Sequence, residues 1–267
     1  MEDHLREHAE ALKRFKKECM EAEYIYPGLK LWRQISIPLI SVFPRLTDLH
    51  QETCLLQNPF FTVVDMDCSP CSNVQEVREL QDPILRDTQH ATPLTYKTTQ
   101  LPVSLDQLHD LYVNNKKEFD AEGSKILVNN RHELMPKEWF SQIKKDNNLY
   151  MWKINTLNSA RILRQLIPRP KIVPKFGQAS ERFIIVDTQR THFEIPDTEC
   201  NYSFLLALSG KRTILLKPAQ ECKHLCKSLK IDLMESQLLW YNWWYWRPLA
   251  EDAAKNETFI SQLGSYC

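Results

Sequence analysis

The strongest constraint on the fold is a short turn, Ser209-Gly210-Lys211-Arg212, set between two apolar runs. Asn201 to Leu208 and Arg212 to Leu216 read as strands, and a Ser-Gly pair between them makes a tight hairpin. Arg182 to Val186 upstream and the almost wholly aromatic Gln237 to Trp246 downstream read as two more strands. The chain before them has a different period. Ser104 caps a helix with Leu105, Leu108, Leu111 and Tyr112 on one face. Residues 133–147 form a second expected helix, with Pro136 in its first turn and Trp139, Phe140 and Ile143 on one side. Residues 157–166 form a third, which stops before Pro168. A buried strand is expected at 59–66, and a short one around Pro83–Leu85 or Leu94–Tyr96. Helices first and hairpin strands after give an α+β arrangement whose strands close into a barrel or jelly roll.

The first 58 residues read as a separate extension. Leu5, Leu12 and Cys19 recur every seven residues on a charged helix over 2–23, which Pro27-Gly28 ends. Residues 29–46, broken by Pro38 and Pro44, suggest an extended strap. The expected division is therefore 1–58 for helix and strap and 59–267 for the main domain. With 43% hydrophobic residues, the chain has enough apolar side chains for a core.

Charge and glycine content exclude several functions. Lysine plus arginine number 34 and so do aspartate plus glutamate, which removes the electrostatic argument for a nucleic-acid partner. Five glycines make neither a GxGxxG fingerprint nor a Walker A loop. No stretch approaches the roughly 18 apolar residues of a membrane span. The N-terminus has no apolar signal core. As written, the chain is expected to be soluble and cytoplasmic; the endoplasmic reticulum lumen is the alternative if an anchor precedes it.

Eight cysteines leave the compartment open. Free, partly buried thiols are the default in a chain of this length. Cys68-Ser-Pro-Cys71 has the spacing of a local disulfide, or of half a zinc site completed by Cys222-x-His224-x-Cys226. The sequons Asn201-Tyr-Ser203 and Asn256-Glu-Thr258 occur at about chance frequency.

Residues 163–220 carry a recognisable order of pieces. Phe183–Val186 is followed by Thr191-His192-Phe193-Glu194, then Asn201–Leu208, Ser209-Gly210-Lys211-Arg212 and Thr213–Pro218. This order resembles the Jumonji C / cupin-like family of iron(II)/2-oxoglutarate oxygenases, with the helices over 104–166 matching its helical preface. The resemblance implies a cupin-like double-stranded β-helix with a helical N-terminal region. It implies iron on His192 and Glu194, since two histidines and a carboxylate on one face hold non-haem iron and alternate strand residues share a face. It also implies Lys211, with Lys217 as a weaker candidate, for the distal carboxylate of 2-oxoglutarate, with Thr191 and Asn201 beside the co-substrate.

The sequence departs from that pattern in three places. Glu194 stands where the family has aspartate, and Tyr245 stands where the second histidine is expected after Trp243-Trp244. Tyr245 also follows His192 by only 53 residues. His224, the only later histidine, lies in a cysteine-rich turn. Two functions therefore stand against each other. One is a catalytically degenerate binding module, a pseudoenzyme whose aromatic segment Trp240–Trp246 takes a protein or peptide. The other is an iron(II)/2-oxoglutarate hydroxylase with an altered ligand set. A purely structural role is a third reading.

Overall fold

Along Leu149–Lys153, Ala179–Asp187, Tyr202–Ser209 and Gln237–Asn242, alternate side chains enter two different apolar cores, and this alternation organises the molecule. The structure, a computed structural model, describes residues 66–84, 91–121, 126–129, 132–142, 147–154, 156–174, 179–189, 191–198, 200–253 and 257–267. The expected helix at 2–23, the strap at 29–46 and most of the 59–66 strand lie outside these residues.

The strands are β1 (Arg78–Glu79), β2 (Leu94–Lys97), β3 (Ile126–Val128), β4 (His132–Leu134), β5 (Leu149–Lys153), β6 (Ala179–Asp187), β7 (Phe193–Glu194), β8 (Tyr202–Ser209), β9 (Arg212–Pro218), β10 (Leu229–Leu233), β11 (Gln237–Asn242), β12 (Trp246–Ala250) and β13 (Phe259–Tyr266). The helices are α1 (Ser69–Ser72), α2 (Leu105–Asn114), α3 (Lys116–Ala121), α4 (Pro136–Gln142) and α5 (Leu157–Leu166). No helix among the described residues is long and apolar enough to cross a membrane.

One sheet runs β1-β2-β11-β8-β13-β6-β5-β3-β4, and a second runs β10-β9-β12-β7. From β6 onward the chain passes repeatedly between them. β6, β8, β11 and β13 lie together in the large sheet, and β7, β9, β10 and β12 form the small one. That winding is a double-stranded β-helix, and the fold is α+β and cupin-like. The barrel interior is packed with Met151, Ile185, Leu205, Leu239, Tyr241 and Leu263 from the large sheet. Against them lie Phe193, Ile214, Leu216, Leu229, Leu233 and Trp246 from the small one.

The outer face of the large sheet carries the helices. Leu108 and Tyr112 of α2, Phe119 of α3, Trp139 of α4 and Leu163 of α5 pack on Tyr150, Trp152, Ile184, Val186, Phe204, Leu206 and Trp240. Ser104 closes α2 with a capping box to Gln107, and Thr156 caps α5. The expected helix over 133–147 starts later than the sequence suggests. His132–Leu134 is a strand paired with β3, and the helix begins at Pro136, which opens its first turn.

Six cysteines are paired: Cys68–Cys222, Cys71–Cys226 and Cys200–Cys267. This corrects the expectation of free thiols and of a local Cys68–Cys71 bond. The two bridges run in parallel from α1 to the β9–β10 connection, because α1 lies against that connection in the barrel core.

Gly210 turns the β8–β9 hairpin at φ +74°, and a Cβ there would lie 2.5 Å from the backbone oxygen of Thr258. Gly210→Ala therefore meets both a left-handed backbone and a fixed obstacle. It should lower stability by at least about 1–3 kcal/mol, read as a fall in the denaturation midpoint at unchanged m-value.

Candidate functional site

The residues that would hold iron sit on β7, so its register decides the site. β7 pairs with β12 through Glu194↔Leu249 and Phe193↔Ala250. Ala250 is opposite Ile214 on β9, and both belong to the barrel interior. Phe193 therefore points inward. His192 and Glu194, one residue to either side, point out. His192 is 70% exposed and contacts Asp252: its backbone N–H donates to Oδ1 at 2.7 Å, and its Nδ1 lies 3.3 Å from the same oxygen. Around them is an open hollow on the outer face, lined also by Lys217, Leu249 and Glu251.

Tyr245 is not opposite β7. It precedes β12, four residues from Leu249, or roughly 13 Å at the rise of a strand. It packs partly buried against the barrel core, and burial raises its pKa. The positions of β12 that do face β7 are Leu249 and Ala250. Trp243 and Trp244, which anchored the sequence comparison, lie in the turn between β11 and β12 rather than on a strand. The expected continuous strand Gln237 to Trp246 is thus two strands and a turn.

The expected co-substrate residues are engaged elsewhere. Lys211 Nζ lies 2.9 Å from Asp232 Oδ2 at the half-exposed edge of the β9–β10 pair. Hydrogen bonds from Thr213 and Lys211 hold the Asp232 carboxyl below its usual pKa. Thr191 is exposed, and its carbonyl accepts from Arg212. Asn201 accepts from the Trp244 indole through Oδ1 and from the Trp243 amide through its carbonyl. His224 is exposed. Among the described residues, the only three-residue group of histidine, cysteine or acid side chains with ligand atoms within 4.8 Å of one another is Cys71, Cys222 and Cys226. Iron and 2-oxoglutarate, which the fold type implies, therefore do not fit these residues.

The aromatic segment is mostly core. Trp240, Tyr241, Trp243 and Trp246 are buried, and Trp244 and Tyr245 are partly exposed. Trp240 and Tyr241 enter opposite cores. Trp243 donates from its indole to Asp197 at 2.6 Å and carries Arg247 over its ring at 3.4 Å. Trp244, Tyr245 and Arg247 are the partly exposed residues of the segment and its flank.

Two features escaped the sequence reading. The first is a cleft of ≈ 210 Å³ between β2 and the segment after α5, lined by Asp82, Tyr96, Lys97, Arg169, Lys171 and Ile172, with Pro83, Pro168 and Pro170 among the other residues at its wall. Burial pushes the Tyr96 hydroxyl up to about 12. The Pro-Arg-Pro-Lys run after α5 was its only sequence signal. The second is an ion pair inside the fold, Asp187 to Arg212 at 2.6 Å, with both side chains 1% exposed. It joins the end of β6 to the start of β9. Alternation predicts an inward or outward side for each residue, but it cannot say that two charges meet.

Residues 68–257 match the model of a family described as the C6orf89 C-terminal domain. Among curated proteins, no sequence matches. Two solved structures are similar in shape. One is E. coli ycfD, at 12% identity and TM-score 0.43, over 69% of this chain; the match spans about half (53%) of that chain. The other is an oxidoreductase of the 2OG-Fe(II) oxygenase family from Burkholderia pseudomallei, at 8% identity and TM-score 0.39, over 72% of this chain and 96% of that one.

Desolvation outweighs the pull of Arg212 and raises the Asp187 carboxyl to about 6. Desolvation likewise lowers Arg212. A folded pKa above the ordinary 3.8 means that this carboxyl favours folding when protonated. Its contribution is complete below about 3.8 and is lost as pH rises through about 6. Asp187→Asn is an uncharged stand-in for the protonated carboxyl, so its stability should lie closest to wild type near pH 4. Wild type should then lose stability relative to this variant as pH rises from about 4 to about 6, measured by urea denaturation across that range.

Proposed function

We propose that this chain, which belongs to the C6orf89 C-terminal domain family, is a catalytically degenerate cupin-like barrel that serves as a binding module. The observation that carries this reading is the register of β7. Phe193 takes the inward position, and His192 and Glu194 face solvent. Moving them inward would take a one-residue slip, which would expel Phe193 from the barrel core and set two polar side chains among Ile214, Leu216 and Trp246.

The binding half of the proposal is supported by the cleft beside Tyr96. Its lysines, Lys97 and Lys171, together with Arg169 and the Tyr96 hydroxyl, suit a small carboxylate. Three prolines among its lining residues hold the wall without spare backbone donors. The degenerate barrel then acts as the frame that fixes β2 and the segment after α5.

Full-length protein, purified without oxygen and given iron(II) and 2-oxoglutarate, should retain no stoichiometric iron and release no succinate. Stoichiometric iron that disappears in His192→Ala would establish the hydroxylase reading instead. For the cleft, ligand-observed NMR with small dicarboxylates should show saturation transfer that Arg169→Ala abolishes. Absence of transfer with the wild type would sink the proposed binding site.

A further inference from the structure

The strongest unassigned constellation lies at the disulfide pair. Cys68-x-x-Cys71 and Cys222-x-x-x-Cys226 come from parts of the chain about 150 residues apart, with the bridged pairs separated by 154 and 155 positions. The fold brings all four together. Each is at most 4% exposed, and all belong to the barrel core. The bridged Cα atoms are 5.5 Å apart in both cases. The Cys71, Cys222 and Cys226 sulfurs lie within 4.8 Å of one another, and Cys68 is bonded to Cys222. A zinc–sulfur distance of about 2.3 Å sets the sulfur–sulfur edges of a tetrahedron at about 3.8 Å. Within the Cys71, Cys222 and Cys226 group no sulfur–sulfur distance exceeds that figure by more than about an ångström, and the two bonded pairs would part on reduction to reach it.

We propose that these four cysteines form a tetrathiolate zinc site when the chain is reduced, and the two disulfides when it is oxidised. Both states use the same residues and the same backbone approach of α1 to the β9–β10 connection. Reduction opens the two S–S bonds. Each takes two electrons and two protons from a dithiol reductant, which leaves as its own disulfide. The four thiols lose their protons to solvent as the thiolates bind Zn²⁺. The site then carries a net charge of minus two. The loop that supplies Cys222 and Cys226 also carries Lys223, His224 and Lys227, all exposed. His224 stays outside the ligand set. Either cross-link holds α1 against the barrel, so the cluster secures the same contact in an oxidising and a reducing compartment.

The test uses the full chain, reduced under anaerobic conditions and supplied with zinc alone or cobalt(II) alone. About one zinc per chain should survive desalting, and cobalt should give the sulfur-to-metal charge-transfer absorption and intense visible bands of a tetrahedral thiolate site. The oxidised chain should retain none. Cys226→Ser should lose the metal, while Cys200→Ser and His224→Ala keep it. Because a cysteine variant can fail to fold, the cobalt spectrum of the wild type is an independent readout of the ligand type. A reduced wild-type chain that takes no metal overturns the proposal. So does metal retained by Cys226→Ser, or equal uptake by the oxidised chain.

Discussion

Everything in this domain depends on a large sheet that is covered on both faces. In β8, Phe204, Leu206 and Leu208 face the helices, while Leu205 and Ala207 face the barrel. β5, β6 and β11 divide in the same way: Trp152, Ile184 and Trp240 go to one core, and Met151, Ile185 and Tyr241 to the other. A one-residue slip in any of these strands would exchange the two sets. Register is therefore fixed by packing from both sides, and the small sheet inherits it through the β8–β9 hairpin at Gly210.

That inherited register decides which side chain β7 turns into the barrel. β9 sets β12, and β12 sets the two-residue strand β7. The outcome at β7 is an aromatic ring pointing inward, at a place where a metal site needs polar ligands. Phe193 also lies 5.8 Å beneath the Arg212 guanidinium, which in turn reaches Asp187 and the carbonyl of Thr191. The backbone that carries the His-Phe-Glu triplet is thus tied by a buried cation to the outward-facing arrangement.

Much of this architecture is written in local sequence, and the site is not. The Ser209-Gly210 hairpin, the capped helices at Ser104 and Thr156, and the strand at Phe183–Val186 all follow from side chains within a few positions of one another. The identity of the inward residue at β7 does not. His192 and Glu194 have the right spacing for a shared face, but spacing says only that they agree with each other. Which face they share is set by Ala250, some fifty-six residues later. β13 was missed because Ser261, Gln262, Gly264 and Ser265 dilute its apolar pattern, although all but the glycine are fully buried polar residues paired into the sheet between β6 and β8. The aromatic run misled for the opposite reason. Its composition suits a strand everywhere, and only the Asn242 side chain, accepting from the Trp244 amide, marks the turn that divides it.

The cysteines show how a correct pairing of segments can precede a correct reading of chemistry. The spacing of Cys68-x-x-Cys71 and of Cys222 with Cys226 points to two halves of one cluster, and the fold joins them. Spacing cannot separate two disulfides from a metal tetrahedron, because both need short sulfur–sulfur distances and the same reversal of backbone at each pair. What separates them is electron count, which belongs to the compartment and not to the fold. The sulfur cluster belongs to the barrel core, at the side where α1 and the β9–β10 connection meet. A cross-link at that point fixes the small sheet by its β9–β10 end, leaving the cleft beside Tyr96 on the far face of the large sheet unconstrained by it.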